Sequence, residues 1–294
     1  MTTDKTFWAA IKAADWAVPD GHTVPDLTPS LVALLASTDP VLRDEIGYEC
    51  FVAWIERDTH YSHTELHQLI DTLTANLQDG ISETGSDSVL KRSFSALVLS
   101  IIGHYALTED FLDTDAINTL LDKALAYLLA EKDLRGYDDA LGWVHAVAHT
   151  ADLLKFLARN PHSTADQHTR ILNAIAAKLG AAEGIVYTHD EDERLVWAVF
   201  DIMRRDLLTQ DDWTAWLKTF TDWLDAHKAA TVIHGDAHKP YQNQKAFLRS
   251  LMFTVDVIVD EGGHLGAVHT LATALLPAVK NTARQFGKGT IYAG

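Results

Sequence analysis

The seven prolines of the chain stand at positions 19, 25, 29, 40, 161, 240 and 277, leaving 41–160 and 162–239 without one. A proline inside a helix removes a backbone donor and clashes with the preceding turn, at ~3 kcal/mol. Long proline-free stretches rich in Ala and Leu are therefore what a row of helices needs. Apolar spacing agrees. Leu66, Leu69, Ile70, Leu73 and Leu77 step by three and four, as do Ile117, Leu120, Leu121, Leu125 and Leu128. Leu195, Val196, Val199, Phe200 and Met203 do the same. Strand-like alternation is confined to the short fragments Thr231–Ile233 and Thr290–Tyr292. The expectation is an all-α protein.

Helix-start signals set a rhythm. Asp39-Pro40 reads as a cap with proline in the first turn. Ser62-x-x-Glu65 and Thr188-x-x-Glu191 have capping-box spacing, and Ser86 or Asp87, Asp113, Asp138, Ser163 and Thr209 are further caps. Starts are expected near 40, 64, 88, 114, 139, 164, 190 and 210, with others near 242 and 263. One helix and a short loop thus recur every ~25 residues, a hairpin period close to that of HEAT and armadillo repeats. The most economical architecture is a right-handed α/α superhelix of antiparallel hairpins, 10–12 helices in one domain over 1–294. Within it, 1–38 would be an N-terminal cap, 39–226 the core pairs and 241–288 a C-terminal pair.

Lys and Arg number 24 against 41 Asp and Glu, a formal net charge of −17. Such a chain repels phosphate backbones, so nucleic acid is not an expected partner. No apolar run approaches the ~18 residues of a membrane span. The start of the chain lacks the basic-then-apolar pattern of a secretion signal, and a cytoplasmic location is expected. Cys50, the single cysteine, lies beside Phe51 and Trp54 and reads as core.

The unusual polar residues fall on alternate helices. They are Arg43-Asp44-Glu45, Lys91-Arg92-Ser93, His145 with His149 and Asp152, and Glu191-Asp192-Glu193-Arg194. In a hairpin stack, alternate helices share a layer, and the concave layer is where such proteins bind ligands. If 139 onward is helical, His145, His149 and Asp152 lie within about 60° on one stripe, continued by Leu141 and Phe156. Three readings follow: a hydrogen-bonded seam between helices, a divalent metal site for Zn, Fe or Mn, or a general acid/base pair oriented by Asp152. Gly142-Trp143 inside that helix is costly and calls for close packing or ligand approach. Arg43 and Arg92 serve as tethers or as anion clamps, and Arg135-Gly136-Tyr137 could close over the histidines. His234-Gly235-Asp236-Ala237-His238 has the look of a metal tract in a loop.

These strings resemble a bacterial family known as domain of unknown function 2785. The resemblance is carried by Asp39-Pro40-Val41-Leu42-Arg43-Asp44-Glu45, Arg92-Ser93-Phe94-Ser95-Ala96-Leu97 and Glu191-Asp192-Glu193-Arg194-Leu195. Most specific is Gly142-Trp143-Val144-His145-Ala146-Val147-Ala148-His149-Thr150-Ala151-Asp152. It implies that the polar clusters are family features, with no established reaction attached.

The leading expectation is a concave polar groove for a small polar ligand or a peptide. His145, His149 and Asp152 would form its floor, and Arg43, Asp44, Arg92, Trp143, Asp192, Glu193 and Arg194 its walls. The alternatives are a metal-dependent hydrolase using the same trio and a helical interaction scaffold. Oligomeric state is not legible in the sequence.

Overall fold

The structure is a computed structural model that describes residues 4–181, 184–227 and 235–291, with side chains to residue 287. Two compact units divide the chain, Met1–His162 and Ser163–Gly294. Apart from one two-stranded hairpin, the regular elements of the described residues are helical.

In the first unit α1 (Lys5–Ala13) and α2 (Val24–Leu34) precede α3, a continuous helical run over 41–57. Two wide π-helical turns, Val41–Tyr48 and Ala53–Arg57, flank its short α-helical centre Glu49–Val52. Next come α4 (His63–Asn76), α5 (Ser88–Tyr105), α6 (Thr114–Ala130), the strands β1 (Tyr137–Asp138) and β2 (Gly142–Trp143), and α7 (Ala146–Arg159). α5 packs along α7 and against α3, while α4 lies on α5 and α6 on α7. α5 and α7 run parallel: Ser93 meets His149 near their starts, and Asn160 donates to the Ala106 carbonyl past their ends. Alternate helices of this unit thus form layers.

The second unit holds α8 (Ala165–Gly180), α9 (Glu191–Arg205), α10 (Gln210–His227), α11 (His238–Glu261) and α12 (Ala267–Ile291). α9 pairs with α11, and α10 packs against both α8 and α12. Trp216 fixes two of these helices by donating its indole N–H to the Leu172 carbonyl at 2.8 Å.

Expected and observed starts agree within a residue or two for most of the chain, because the capping chemistry is local. The Ser62–Glu65 capping box is formed on both sides, and Asp113 accepts from the Ala116 N–H. Three expectations need correction. The cap of α8 is Thr164 rather than Ser163, with Gln167 completing the box. Thr188 does not cap α9; Asp190 holds the N-cap position in the left-handed region at φ 64° without a side-chain cap bond, while the Glu191 carboxylate accepts from the His189 N–H. The helix expected from 139 begins only at Ala146, since a hairpin occupies 137–143. The expected strand fragment Thr231–Ile233 lies outside the described residues, and 290–291 belong to α12.

Two fully buried arginines tie this framework together. Arg92 on α5 makes a two-pronged pair with Glu131 at the end of α6, at 2.6 and 3.0 Å. Its other terminal nitrogen donates to the carbonyls of Asp79 and Gly80 and to Ser88 Oγ at 2.8–2.9 Å. Burial is the largest influence and opposes the Arg92 charge, but the Glu131 hydrogen bonds together with the charges of Glu131 and its neighbours outweigh it, so the pKa is held above the usual arginine value. Glu131 also accepts from the Asp133 N–H at 2.9 Å, which starts the turn toward the hairpin. Removing one member of such a pair strands a buried charge, at about 3–5 kcal/mol. Arg92→Met is therefore expected to lower unfolding free energy in urea by that amount. Arg92→Met/Glu131→Gln should recover only part of it, because the Asp79 and Gly80 carbonyls stay unsatisfied.

Cys50 is fully buried in α3 against the apolar core, and burial pushes its thiol pKa up. Only thiolate reacts with alkylating reagents. At pH 8 the native chain should label with iodoacetamide at least about a thousandfold more slowly than the urea-unfolded chain, as set by the opening equilibrium. Mass spectrometry of timed aliquots checks this.

Candidate functional site

The site begins with the hairpin that interrupts the helices. Asp138 sets its turn by accepting from the N–H groups of Ala140 and Leu141 at 2.9 and 3.1 Å. Two antiparallel pairs follow, Asp138 with Gly142 and Tyr137 with Trp143. Gly142 is required: its φ is +72°, and a Cβ there would come within 3.2 Å of Pro40 Cβ. Close packing, one of the two expected reasons for this glycine, is the one found, though in a strand and not a helix.

Arg43 clamps the hairpin from α3. Fully buried, it donates to the carbonyls of Ser37, Leu141 and Trp143 and pairs with Asp44 at 3.0 Å. Its Nε has no hydrogen-bond partner, and the guanidinium lies over the Phe94 ring at 4.7 Å. Burial lowers the Arg43 pKa and raises that of Asp44, each opposed by the other's charge. On the far side, Arg135 grips Asp133 through two nitrogens and reaches Asp138 at 3.3 Å, while Asp133 accepts from the Gly85 N–H. Arg135 is thus fixed at the base of the hairpin.

His145 follows as the N-cap residue of α7, in the left-handed region at φ 51°. It is not within a helix, yet its ring still lies 5.6 Å from that of His149. Ser93 on α5 gives its hydroxyl proton to the Val144 carbonyl and lies 2.8 Å from His149 Nδ1. With that proton committed, the hydroxyl accepts from Nδ1–H. Ser93 is buried with its proton committed, which is the wrong arrangement for a nucleophile. Asp152, also buried, is 3.6 Å from Lys155.

Together these contacts form a row of π faces that runs from the core to solvent. Arg43 covers Phe94; Phe94 meets His149 edge-on at 5.0 Å; His149 meets His145. His145 stacks on Trp143 at 4.5 Å and 20°, and Trp143 meets Tyr137 at 5.1 Å. The histidines are buried, whereas Trp143 is 42% and Tyr137 48% exposed. Ser93 and Tyr137 belong to polar strings already noted in the sequence, whereas Phe94 carried no such signal beyond its place next to them.

Arg43, Asp44, Arg92, Trp143, His145, His149 and Asp152 lie in the first unit, with both arginines acting as internal tethers. Asp192, Glu193 and Arg194 lie in the second. There Asp192 accepts from Ser250 Oγ at 2.6 Å, Glu193 is exposed, and Arg194 sits half-buried in the first turn of α9. Among the described residues no three His, Cys, Asp or Glu side chains are grouped to hold a metal ion. Of the 234–238 tract, His234 lies outside the described residues, and His238 Nε2 is 3.2 Å from Gln242 at the start of α11. No helix of the described residues is long and apolar enough to cross a membrane.

No curated protein and no solved structure matches the chain. The sequence pattern of one family does, over residues 77–253, a span that includes the whole hairpin, both histidines, Arg92 and the Asp192–Arg194 cluster, with Arg43 outside it. Matched over more than half of its length, the chain belongs to the family described as "Protein of unknown function (DUF2785)".

Proposed function

We propose that the chain is a binding protein, whose first unit receives a small polar ligand or a peptide segment on the aromatic face of Tyr137 and Trp143. The observation that carries this reading is the exposure of two large rings on a hairpin held rigid by a buried arginine. A large apolar surface left in water is the informative exception among exposed residues, and Trp and Tyr are the residues that most often anchor an interface. Rigidity supports the same reading, since a fixed platform loses little freedom on binding. So does backbone strain: the left-handed conformation at His145 costs roughly 1 kcal/mol and brings the imidazole under Trp143.

The layered helices of each unit are in keeping with repeating hairpins of HEAT or armadillo type, which carry their ligands on one layer. The net charge of −17 disfavours polyanions as that ligand.

Titration with a panel of blocked tripeptides, followed by tryptophan emission and melting temperature, tests it. Binders are expected to raise the melting temperature of the native chain. Trp143→Ala should weaken them at least tenfold, about 1.4 kcal/mol, while its own stability changes by less than about 1 kcal/mol because the ring is half in water. Undiminished binding by Trp143→Ala would refute this site.

A further inference from the structure

We propose that Lys245 and Arg249, one turn apart on α11, form a binding site for a compact oxyanion, a phosphate or carboxylate group. This site lies in the second unit and is independent of the aromatic platform. Lys245 is more than nine-tenths buried. Among the described residues its ammonium has neither a hydrogen bond nor an ion pair; it faces only the Tyr241 ring, at 5.6 Å from the centroid. That ring is itself fixed, because the Tyr241 hydroxyl donates to the Phe286 carbonyl on α12. Arg249 is exposed and, among the described residues, also lacks a hydrogen bond or ion pair.

Among the described residues neither cation has an ion-pair partner, in a chain with 41 acidic side chains. The neighbouring carboxylates are committed elsewhere. Asp192 reaches α11 but accepts from Ser250 Oγ, and Asp256 pairs with Lys280 at 2.6 Å. Like charges four apart on a helix repel, and the Lys245 stem is buried so that its ammonium reaches the surface at one fixed place beside Tyr241. Burial, and after it the charge of Arg249, both depress the Lys245 pKa. An oxyanion between the two cations answers all of these at once: Lys245 would supply a point charge from below and Arg249 a planar fork from the open side.

The test is melting of the full chain at pH 7 in sodium phosphate, in sodium acetate and in sodium chloride of matched ionic strength, beside Lys245→Met and Arg249→Gln. Phosphate also stabilises proteins generally by exclusion from their surface, so the readout is the margin over chloride that the variants lose. The native chain is expected to melt several degrees higher in phosphate or acetate than in chloride. That margin should vanish in Lys245→Met, which keeps the side-chain volume, and shrink in Arg249→Gln, which alters only an exposed position. A margin with acetate alone assigns a carboxylate ligand, and one with phosphate alone a phosphate. The same margin in all three proteins, or none in the native chain with either anion, overturns the site.

Discussion

A guanidinium taken out of water must find partners for its N–H groups inside the protein, and the first unit is organised by two that do. Arg92 satisfies itself with a carboxylate from α6, two carbonyls between α4 and α5, and a serine on its own helix. Arg43 does so at its two terminal nitrogens, with carbonyls from 37, 141 and 143 and the Asp44 carboxylate, and lays its face on Phe94, while its Nε stays without a hydrogen bond. Planar forks with directional donors fix position in a way apolar contacts do not. The hairpin has only two residue pairs and would not persist alone. Its shape is imposed by Arg43 on one side and the Arg135–Asp133–Asp138 cluster on the other. The stack from Phe94 to Tyr137 follows from that clamp.

Much of the helical framework could be read from the chain. Proline spacing, the Ser62–Glu65 box and the Asp113 cap each act within a few residues, so they keep their meaning whatever the tertiary context. The cap of α9 was misread because Glu191 satisfies the backbone of His189 directly, and Asp190, in the left-handed region, takes the place expected of Thr188. Spacing alone does not tell a carboxylate that reaches back to the preceding loop from one that completes a capping box.

The closeness of His145 and His149 was legible in the sequence, and the local backbone that produces it was not. An i, i+4 histidine pair was read as one helical stripe, and the rings do lie side by side. The reason differs, because an N-cap residue still stands one turn below residue N4 even when its own backbone is left-handed. Asp138 and Gly142 held the missing information. An aspartate that accepts from two N–H groups ahead of it, and a glycine four residues on, are turn chemistry. Against a background of Ala and Leu at helical spacing they were overridden by periodicity. The partner of His149 was out of reach for another reason: Ser93 lies 56 residues away and belongs to a parallel neighbour in the same layer.

The arginines also explain why neither serves as an exposed anion clamp, and where cationic binding chemistry is left over. Arg43 and Arg92 form charged networks whose hydrogen bonds are internal, so adding a ligand would first require breaking them. A lysine of similar burial on α11 has only a ring beside it. Desolvation opposes the charge of all three cations; what differs is whether the fold supplies the counter-dipoles. Where it does, the charge holds structure together. Where it does not, the unbalanced charge is available to an outside partner, and in a protein this acidic such a place is set apart from the rest of its surface.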